Sequence, residues 1–246
     1  MSMIIPDWNA PQNVKAFAST RFDGCSTGAY QGLNLGMHVG DDASLVESNR
    51  AWLKQQSKMP TSPVWLNQTH STDVVTVLEP VANVLDADGA FTTATGVVCS
   101  AMTADCLPVI LTDTKGTQVA AVHAGWRGLA GGILENAVAK FSNLDSDNQI
   151  MAWLGPAIGK DAFEVGNDVL EAFVRFDTQA RLAFQTKAES GKWLANMSQL
   201  ATQRLMKIGV TSVTDSNLCT YADSDAFYSY RRDGITGRQA TFIWLE

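Results

Sequence analysis

The amino-acid sequence predicts an α+β fold, a layered α/β sandwich with mixed sheets. Short apolar runs typical of strands dominate the first half of the chain, and turn-forming residues separate them. Helical spacing of apolar residues becomes more common in the second half. Because strands and helices do not alternate regularly, the pattern favours layers over a doubly wound parallel sheet. No linker interrupts the chain, so we expect a single domain over residues 1–246.

Seven runs are predicted as strands because they are rich in apolar and β-branched residues and are bounded by turn formers. They are VKAFAST (14–20), DVVTVLE (73–79), GVVCSAMT (96–103), CLPVILT (106–112), QVAAVHA (118–124), MAWLGPAIG (151–159) and ATFIWLE (240–246).

Four segments are predicted as helices because their apolar residues recur every three to four positions. They are SLVESNRAWLKQQS (44–57), ILENAVAKF (133–141), NDVLEAFVRF (167–176) and NMSQLATQRLMKIG (196–209). Ser44 and Glu47 form a capping-box pattern at the start of the first, and Gly209 ends the last. Residues 24–42 contain too many glycines for a regular element and are predicted to form a long binding loop.

The composition excludes several classes of protein. A net charge of -7 without a long basic run argues against nucleic acid as a partner. The N-terminal residues lack the pattern of a secretory signal, and no apolar stretch reaches the length of a membrane span. The 4 cysteines are too few and too scattered for a disulfide scaffold. We therefore expect a cytoplasmic protein that is not bound to a membrane.

His70, Cys106 and His123 form the candidate site. Cys106 opens one predicted strand and His123 lies near the end of the next. If the two strands form a hairpin turning at residues 113–116, Thr112 faces Thr117, and Cys106 lies opposite His123. Directly opposed side chains have Cβ atoms roughly 4.5–5.5 Å apart, close enough for a thiolate and an imidazole to meet.

Three interpretations of this trio remain open from the residues alone. A catalytic zinc site has three protein ligands and an open position, and bound zinc lowers the pKa of its water to about 7. Alternatively, Cys106 is a nucleophile and His123 its base, an arrangement that does not need His70. In the third, each histidine satisfies a local hydrogen bond and Cys106 is a small buried apolar residue.

Four arginines in two segments are candidate anion-binding residues. Arg127 lies in GWRGLAGG (125–132), a predicted turn whose backbone N–H groups could face an anion, although its glycines could equally serve close packing of strand and helix. Arg238 lies in YRRDGITGRQA (230–240) with Arg231 and Arg232; these three could bind phosphate or carboxylate, or lie on the surface.

Two further polar residues lie close to these motifs. His38 is expected to stabilise its loop rather than act as a fourth ligand. Asp105 is expected on the opposite sheet face from Cys106 if the strand already includes it.

The order of several blocks closely resembles the bacterial YfiH-type laccase-domain family. The blocks are LNLGMHVGDD (33–42), WLNQTHSTDV (65–74), DADGAFTT (86–93), TADCLPVIL (103–111), AAVHAGWRGLAGGI (120–133), LGPAIGKDAFEVG (154–166) and DGITGRQATFIWL (233–245). The resemblance covers nearly the whole chain. Its proteins have been called polyphenol oxidase, purine nucleoside phosphorylase and peptidoglycan editing factor.

The resemblance implies that His70, Cys106 and His123 bind a metal, usually regarded as zinc. It also implies a cytosolic single-domain α/β sandwich that cleaves adenosine, inosine and methylthioadenosine with phosphate and deaminates adenosine. Arg21 and Asn34 are the implied substrate contacts. For an enzyme of this kind, our own hypothesis is that Arg127 or Arg238 holds phosphate.

The histidine count restricts the chemistry. Imidazole is the main ligand of a multicopper oxidase, and the 3 histidines of this chain cannot supply its mononuclear and trinuclear sites. A single copper ion with weak oxidase activity is not excluded.

The leading hypothesis is a zinc enzyme acting on purine nucleosides. The alternatives are an amide hydrolase that edits a nucleotide-linked cell-wall precursor and a non-catalytic metal-binding module.

Overall fold

The computed structural model describes residues 3–246, which fold into stacked layers of sheet and helix. The strands are β1 (Met3–Ile4), β2 (Val14–Ser19), β3 (Leu66–Asn67), β4 (Val74–Thr76), β5 (Leu85–Asp86), β6 (Gly89–Thr92), β7 (Cys99–Thr103), β8 (Leu107–Asp113), β9 (Val119–Ala124), β10 (Ile150–Leu154), β11 (Glu164–Gly166), β12 (Phe184–Thr186), β13 (Lys192–Ala195), β14 (Ser212–Asp215) and β15 (Gln239–Leu245). The α-helices are α1 (Ala43–Gln56), α2 (Trp126–Gly131), α3 (Ile133–Val138), α4 (Asn167–Val174), α5 (Met197–Lys207) and α6 (Tyr230–Asp233). Short 3₁₀ helices cover Gly28–Tyr30 and Thr178–Ala183.

Two large sheets form the centre of the fold. The six-stranded sheet has the order β14-β10-β8-β9-β6-β4, and it is mixed because the β10–β14 and β4–β6 pairs are parallel while the others are antiparallel. The four-stranded sheet is antiparallel, in the order β1-β2-β15-β7. The predicted α+β fold with layered, mixed sheets is confirmed.

Apolar residues on successive faces bind the layers together. In β8, which is buried along its whole length, Val109 packs among residues of the helices α3 to α5, whereas Ile110 points into the space between the two sheets. Phe17 and Phe242 on the outer face of the four-stranded sheet pack with Leu53 of α1. Because side chains alternate along a strand, both faces of the central strand must be apolar, as its sequence predicts.

The predicted register of the β8–β9 hairpin is wrong by two residues. Thr112 pairs with Val119, and Pro108 rather than Cys106 lies opposite His123. The turn is longer than expected because the buried Asp113 carboxylate accepts hydrogen bonds from the backbone N–H of Thr117 at 2.6 Å and of Gln118 at 3.2 Å. A shift of two residues keeps every side chain on its predicted face, so Cys106 and His123 can still converge.

Several element boundaries also differ from the prediction. The segment 125–132 is not a turn, since residues 126–131 form α2. The N-cap of α1 is Asp42, whose carboxylate accepts a hydrogen bond from the Ser44 backbone N–H at 2.8 Å, so the capping box is not used. Within residues 3–246, no helix is long and apolar enough to cross a membrane.

Candidate metal and substrate site

The structure brings His70, Cys106 and His123 together at one end of the space between the two large sheets. Cys106 directly precedes β8, His123 is the next-to-last residue of β9, and His70 lies in the loop after β3. One ligand atom from each residue lies within 4.8 Å of the others. The Cys106 Sγ is 3.7 Å from the His70 Nε2, and the two imidazole rings meet edge to face with centroids 4.9 Å apart.

Asp88, which the sequence analysis missed, connects the two histidines. Its buried carboxylate accepts a hydrogen bond from the His123 Nδ1 at 2.7 Å, which leaves the Nε2 of that ring for a ligand. It also accepts hydrogen bonds from the backbone N–H groups of Thr69, His70 and Ser71, and from the Ser71 hydroxyl. A carboxylate behind a ligating histidine fixes the ring orientation and its tautomer.

His70 needs this support because its backbone has a φ of +64°, in the left-handed region that side chains with a Cβ rarely adopt. The hydrogen bonds from three consecutive amides to Asp88 hold the loop in that conformation. Gln68 secures the same loop to β7, since its amide pairs with both the N–H and the C=O of Met102. Hydrogen bonds to Asp88 and from Gln68 therefore hold the loop that carries the candidate ligand His70.

Gly125 provides the room in which the three ligands meet. A Cβ at this position would lie 2.4 Å from the His70 Cδ2 and 3.3 Å from the Cys106 Sγ. In α2, a Cβ on Gly128 would lie 2.8 Å from the Ser71 carbonyl oxygen. Gly125 and Gly128 thus allow close packing against the His70 loop. This is the second of the two interpretations offered above for residues 125–132, the first being an anion-binding turn.

Replacing Gly125 with alanine is expected to displace the His70 ring and lower metal affinity by about 10- to 100-fold, the range found when supporting groups of a metal site are altered. Competition with a chromophoric chelator measures the affinity. Gly131→Ala is the matched control, because its added methyl group would meet only the side-chain methyl of Thr72. Equal affinity in Gly125→Ala and wild type would contradict this account.

The electrostatics of the metal-free cluster favour an ion pair between Cys106 and His123. Burial would raise the pKa of the Cys106 thiol, but the His123 and His70 imidazoles outweigh burial and lower this pKa to about 6. Burial would also lower the pKa of His123, yet the Cys106 thiolate and the Asp88 carboxylate raise it to about 9. Burial would raise the pKa of the Asp88 carboxyl group, but hydrogen bonds from His123 and Ser71 outweigh burial and lower this pKa to about 2.

The three residues suit a tetrahedral metal with one open position. Zinc–sulfur and zinc–nitrogen bond lengths place neighbouring ligand atoms about 3.3–3.6 Å apart. The 3.7 Å separation of Cys106 and His70 is already close to that range. A soft thiolate with two imidazoles is a donor set that zinc and copper accept, and the carboxylate behind His123 supplies the usual support.

The trio lines a cavity of about 280 Å³. The other residues of its wall are His38, Gln68, Met102, Thr103, Ala104, Tyr230 and Arg238. Arg238 directs Nη1 to the carbonyl oxygens of Thr236 and Gly237, the hydrogen bonds that its guanidinium makes within residues 3–246. Its Nε and Nη2 therefore remain available to an oxyanion or a hydroxyl group.

The structure gives specific positions to His38, on the cavity wall, and to Asp105, next to Cys106. His38 lines the cavity, and burial together with the positive charges of Arg238 and Arg50 lowers the pKa of its imidazole. Asp105 precedes β8 instead of belonging to it. Its carboxylate accepts hydrogen bonds from the Thr220 hydroxyl at 2.7 Å and the Arg231 backbone N–H at 2.7 Å, which ties α6 and the segment before it to the residue that precedes Cys106.

The structure does not bring the other predicted substrate contacts into the cavity wall. Asn34 is fully buried, and its side-chain Oδ1 accepts a hydrogen bond from the Arg238 backbone N–H at 2.9 Å. Arg21 lines a separate open groove and donates to the carbonyls of Gln31 and Ser224. Arg127 is exposed, with its guanidinium 4.4 Å from the centre of the Trp126 ring. Substrate contact by Arg21, Asn34 and Arg127 stays a prediction. Asn34 contacts the backbone of Arg238, which does line the cavity.

Sequence reasoning missed Asp88, Gln68 and Tyr230 as parts of the site. Asp88 had a usable signal, because it lies in DADGAFTT, one of the blocks that carry the family resemblance. Gln68 stands in the same block as His70. Nothing in the sequence around Tyr230 indicates that it reaches the cavity, because α6 follows β9 by more than a hundred residues.

Comparisons with known proteins identify the family of this chain. Residues 15–246 match the model of a family described as multi-copper polyphenol oxidoreductase laccase. The chain is 49% identical to a Haemophilus influenzae protein named purine nucleoside phosphorylase, over 100% of both chains. It is 48% identical to the Escherichia coli K12 protein named purine nucleoside phosphorylase YfiH, over 99% of this chain and 98% of that one.

A solved structure extends the likeness to the fold. A Neisseria meningitidis protein of family DUF152 superposes with a TM-score of 0.94, at 48% identity and with 100% of each chain covered. The predicted resemblance to this family is confirmed, and the family model covers residues 15–246. The chain belongs to the laccase-like domain family that includes the YfiH and DUF152 proteins.

Proposed function

We propose that this protein is a metal-dependent purine nucleoside phosphorylase, with zinc held by His70, Cys106 and His123. The observation that carries the proposal is a three-ligand cluster on the wall of a cavity that also contains Arg238. The relatives named purine nucleoside phosphorylase support the choice of substrate. A cavity of about 280 Å³ is near the lower end of the range for small-molecule sites, as expected for one nucleoside.

When bound, zinc at this site would act as a Lewis acid towards substrate oxygen or water. In phosphorolysis, the bond between the ribose C1′ and the base nitrogen breaks while an oxygen of phosphate bonds to C1′. The base leaves with the electron pair and gains a proton. The negative charge of phosphate calls for a cation in the cavity, and Arg238, which lines it, would supply one.

The chain's own residues would position the reactants. Asp88 holds His123 in one tautomer and one orientation, and the backbone of the His70 loop is secured by the same carboxylate. Asn34 orients the backbone of Arg238 from behind. Positioning of this kind converts an encounter of two substrates into a reaction within one complex.

The finer parts of the proposal concern substrates and location. We include adenosine, inosine and methylthioadenosine as substrates, and deamination of adenosine to inosine and ammonia as a second reaction. The cysteines within residues 3–246 are all free thiols, which suits a reducing compartment and supports a cytoplasmic location.

Product analysis of the purified, zinc-loaded protein tests this function. With adenosine and phosphate, the expected products are adenine and ribose 1-phosphate, with inosine as the sign of deamination. Omitting phosphate is expected to remove adenine but to leave inosine formation. If neither nucleoside reaction is detected in a protein that holds about one zinc per chain, the proposal fails.

The geometry also favours a second candidate, in which the Cys106 thiolate is a nucleophile. The order Cys106, His123, Asp88 matches a nucleophile, its base and the carboxylate that orients the base, since the ligand atoms of Cys106 and His123 lie within 4.8 Å of each other and the His123 Nδ1 donates to Asp88. The amide-hydrolase alternative would use these groups. Chelation separates the candidates, because a thiolate enzyme would keep its activity after metal removal and lose it on alkylation of Cys106.

A further inference from the structure

We propose that Tyr230 is the residue on which the purine ring of the nucleoside stacks, an inference that rests on the function proposed above. Tyr230 begins α6 and contributes to the wall of the cavity that contains the ligand cluster. It is nevertheless 62% exposed, so a large part of its side chain is not covered by the protein. An aromatic face at this position is available to a flat ligand.

The backbone that carries Tyr230 is held firmly. The Arg231 backbone N–H donates to Asp105 at 2.7 Å, and Asp105 directly precedes the candidate ligand Cys106. The Ser229 hydroxyl accepts a hydrogen bond from the Arg232 backbone N–H at 3.2 Å. The position of Tyr230 relative to Cys106 is therefore fixed through one intervening carboxylate.

The neighbouring side chains add to this rigidity. The Arg231 guanidinium donates to the carbonyl oxygen of Glu164 at 2.9 Å, and that of Arg232 donates to the carbonyl oxygen of Thr220 at 2.7 Å. The side chains of Arg231 and Arg232 thus connect α6 to two other segments of the chain. The Tyr230 side chain, in contrast, is 62% exposed, so most of its ring is not packed against the protein. A fixed backbone with an uncommitted aromatic ring is the arrangement of a preformed binding surface.

The chemistry of the cavity indicates which part of the substrate meets this ring. The ligand cluster and Arg238 offer charge to the phosphate and ribose, whereas Tyr230 offers an apolar face at the edge. Stacking on that face suits a nucleobase, and it is tolerant of the groups on the base edge because every base has a π-face. A single stacking residue would therefore account for the proposed acceptance of both adenine and hypoxanthine nucleosides.

Three substitutions at position 230 test the inference. Tyr230→Phe keeps the ring, Tyr230→Leu keeps apolar surface without a ring, and Tyr230→Ala removes both. Because base stacking contributes about 5- to 100-fold in affinity, Tyr230→Ala should raise the KM for adenosine by such a factor, with Tyr230→Leu intermediate and Tyr230→Phe close to wild type. The KM for phosphate should not change in any of them. Tyr221→Ala is the control, since Tyr221 is 39% exposed and lines a different cavity.

Calorimetric titration of the metal-loaded proteins with adenosine, without phosphate, supplies a readout besides activity. Weaker adenosine binding in Tyr230→Ala, at unchanged metal content and melting temperature, would support the stacking role. If wild type binds and cleaves adenosine while Tyr230→Ala does so equally well, the inference is overturned and the proposed function stands. If wild type neither binds nor cleaves any purine nucleoside, both are overturned.

Discussion

Replacing Cys106 with alanine is expected to reduce bound metal from about one ion per chain to almost none and to lower phosphorolysis by about a thousandfold or more. The thiolate is the one sulfur donor of the cluster, and the open site would be left with two imidazoles. Loss of several kcal/mol of transition-state stabilisation corresponds to a rate change of this size. Elemental analysis of the purified protein measures the metal, and initial rates with adenosine measure the activity.

The companion variant His70→Ala distinguishes the two candidate chemistries. A three-ligand site predicts that His70→Ala also loses metal, whereas a Cys106–His123 dyad does not use His70. Cys219→Ala is the matched control, because Cys219 is a partly buried free thiol that lines another cavity. Metal content equal to wild type in His70→Ala would count against the proposed zinc site.

Replacing Asp88 with alanine is expected to lower the free energy of unfolding of the metal-free protein by about 3–5 kcal/mol. The substitution removes the acceptor for three backbone N–H groups, the Ser71 hydroxyl and the His123 imidazole, and it leaves a buried imidazole without its partner. Breaking a buried charge pair by removing one partner costs about this much. Urea denaturation of protein stripped of metal measures the change.

The exposed Asp86 of β5 is the control for Asp88, since its carboxylate accepts one hydrogen bond, from Asn67. Asp86→Ala is expected to change the free energy of unfolding by less than about 1 kcal/mol. Asp88→Asn keeps the size of the side chain and a single carbonyl acceptor, so an intermediate loss is expected. Equal stability of Asp88→Ala and wild type would refute the supporting role of this carboxylate.

Local patterns were enough to predict much of the fold. β2, β8, β9 and β15 coincide closely with predicted strands because their apolar runs report burial directly. The helices α1, α4 and α5 were also located, since their spacing and end signals lie within a few residues. The register of the β8–β9 hairpin was predicted wrongly, because the turn depends on the hydrogen bonds that Asp113 accepts and not on residue type alone.

The sequence by itself determined which residues could ligate a metal, since the chain has 3 histidines and the blocks around two of them and Cys106 are specific. It also excluded a multicopper centre. Only the tertiary structure decided that Asp88 orients His123, that Gly125 makes room for the ligands, and that Arg238 and Tyr230 share their cavity. These residues are far apart along the chain, and only the packing of the two sheets and their loops brings them together.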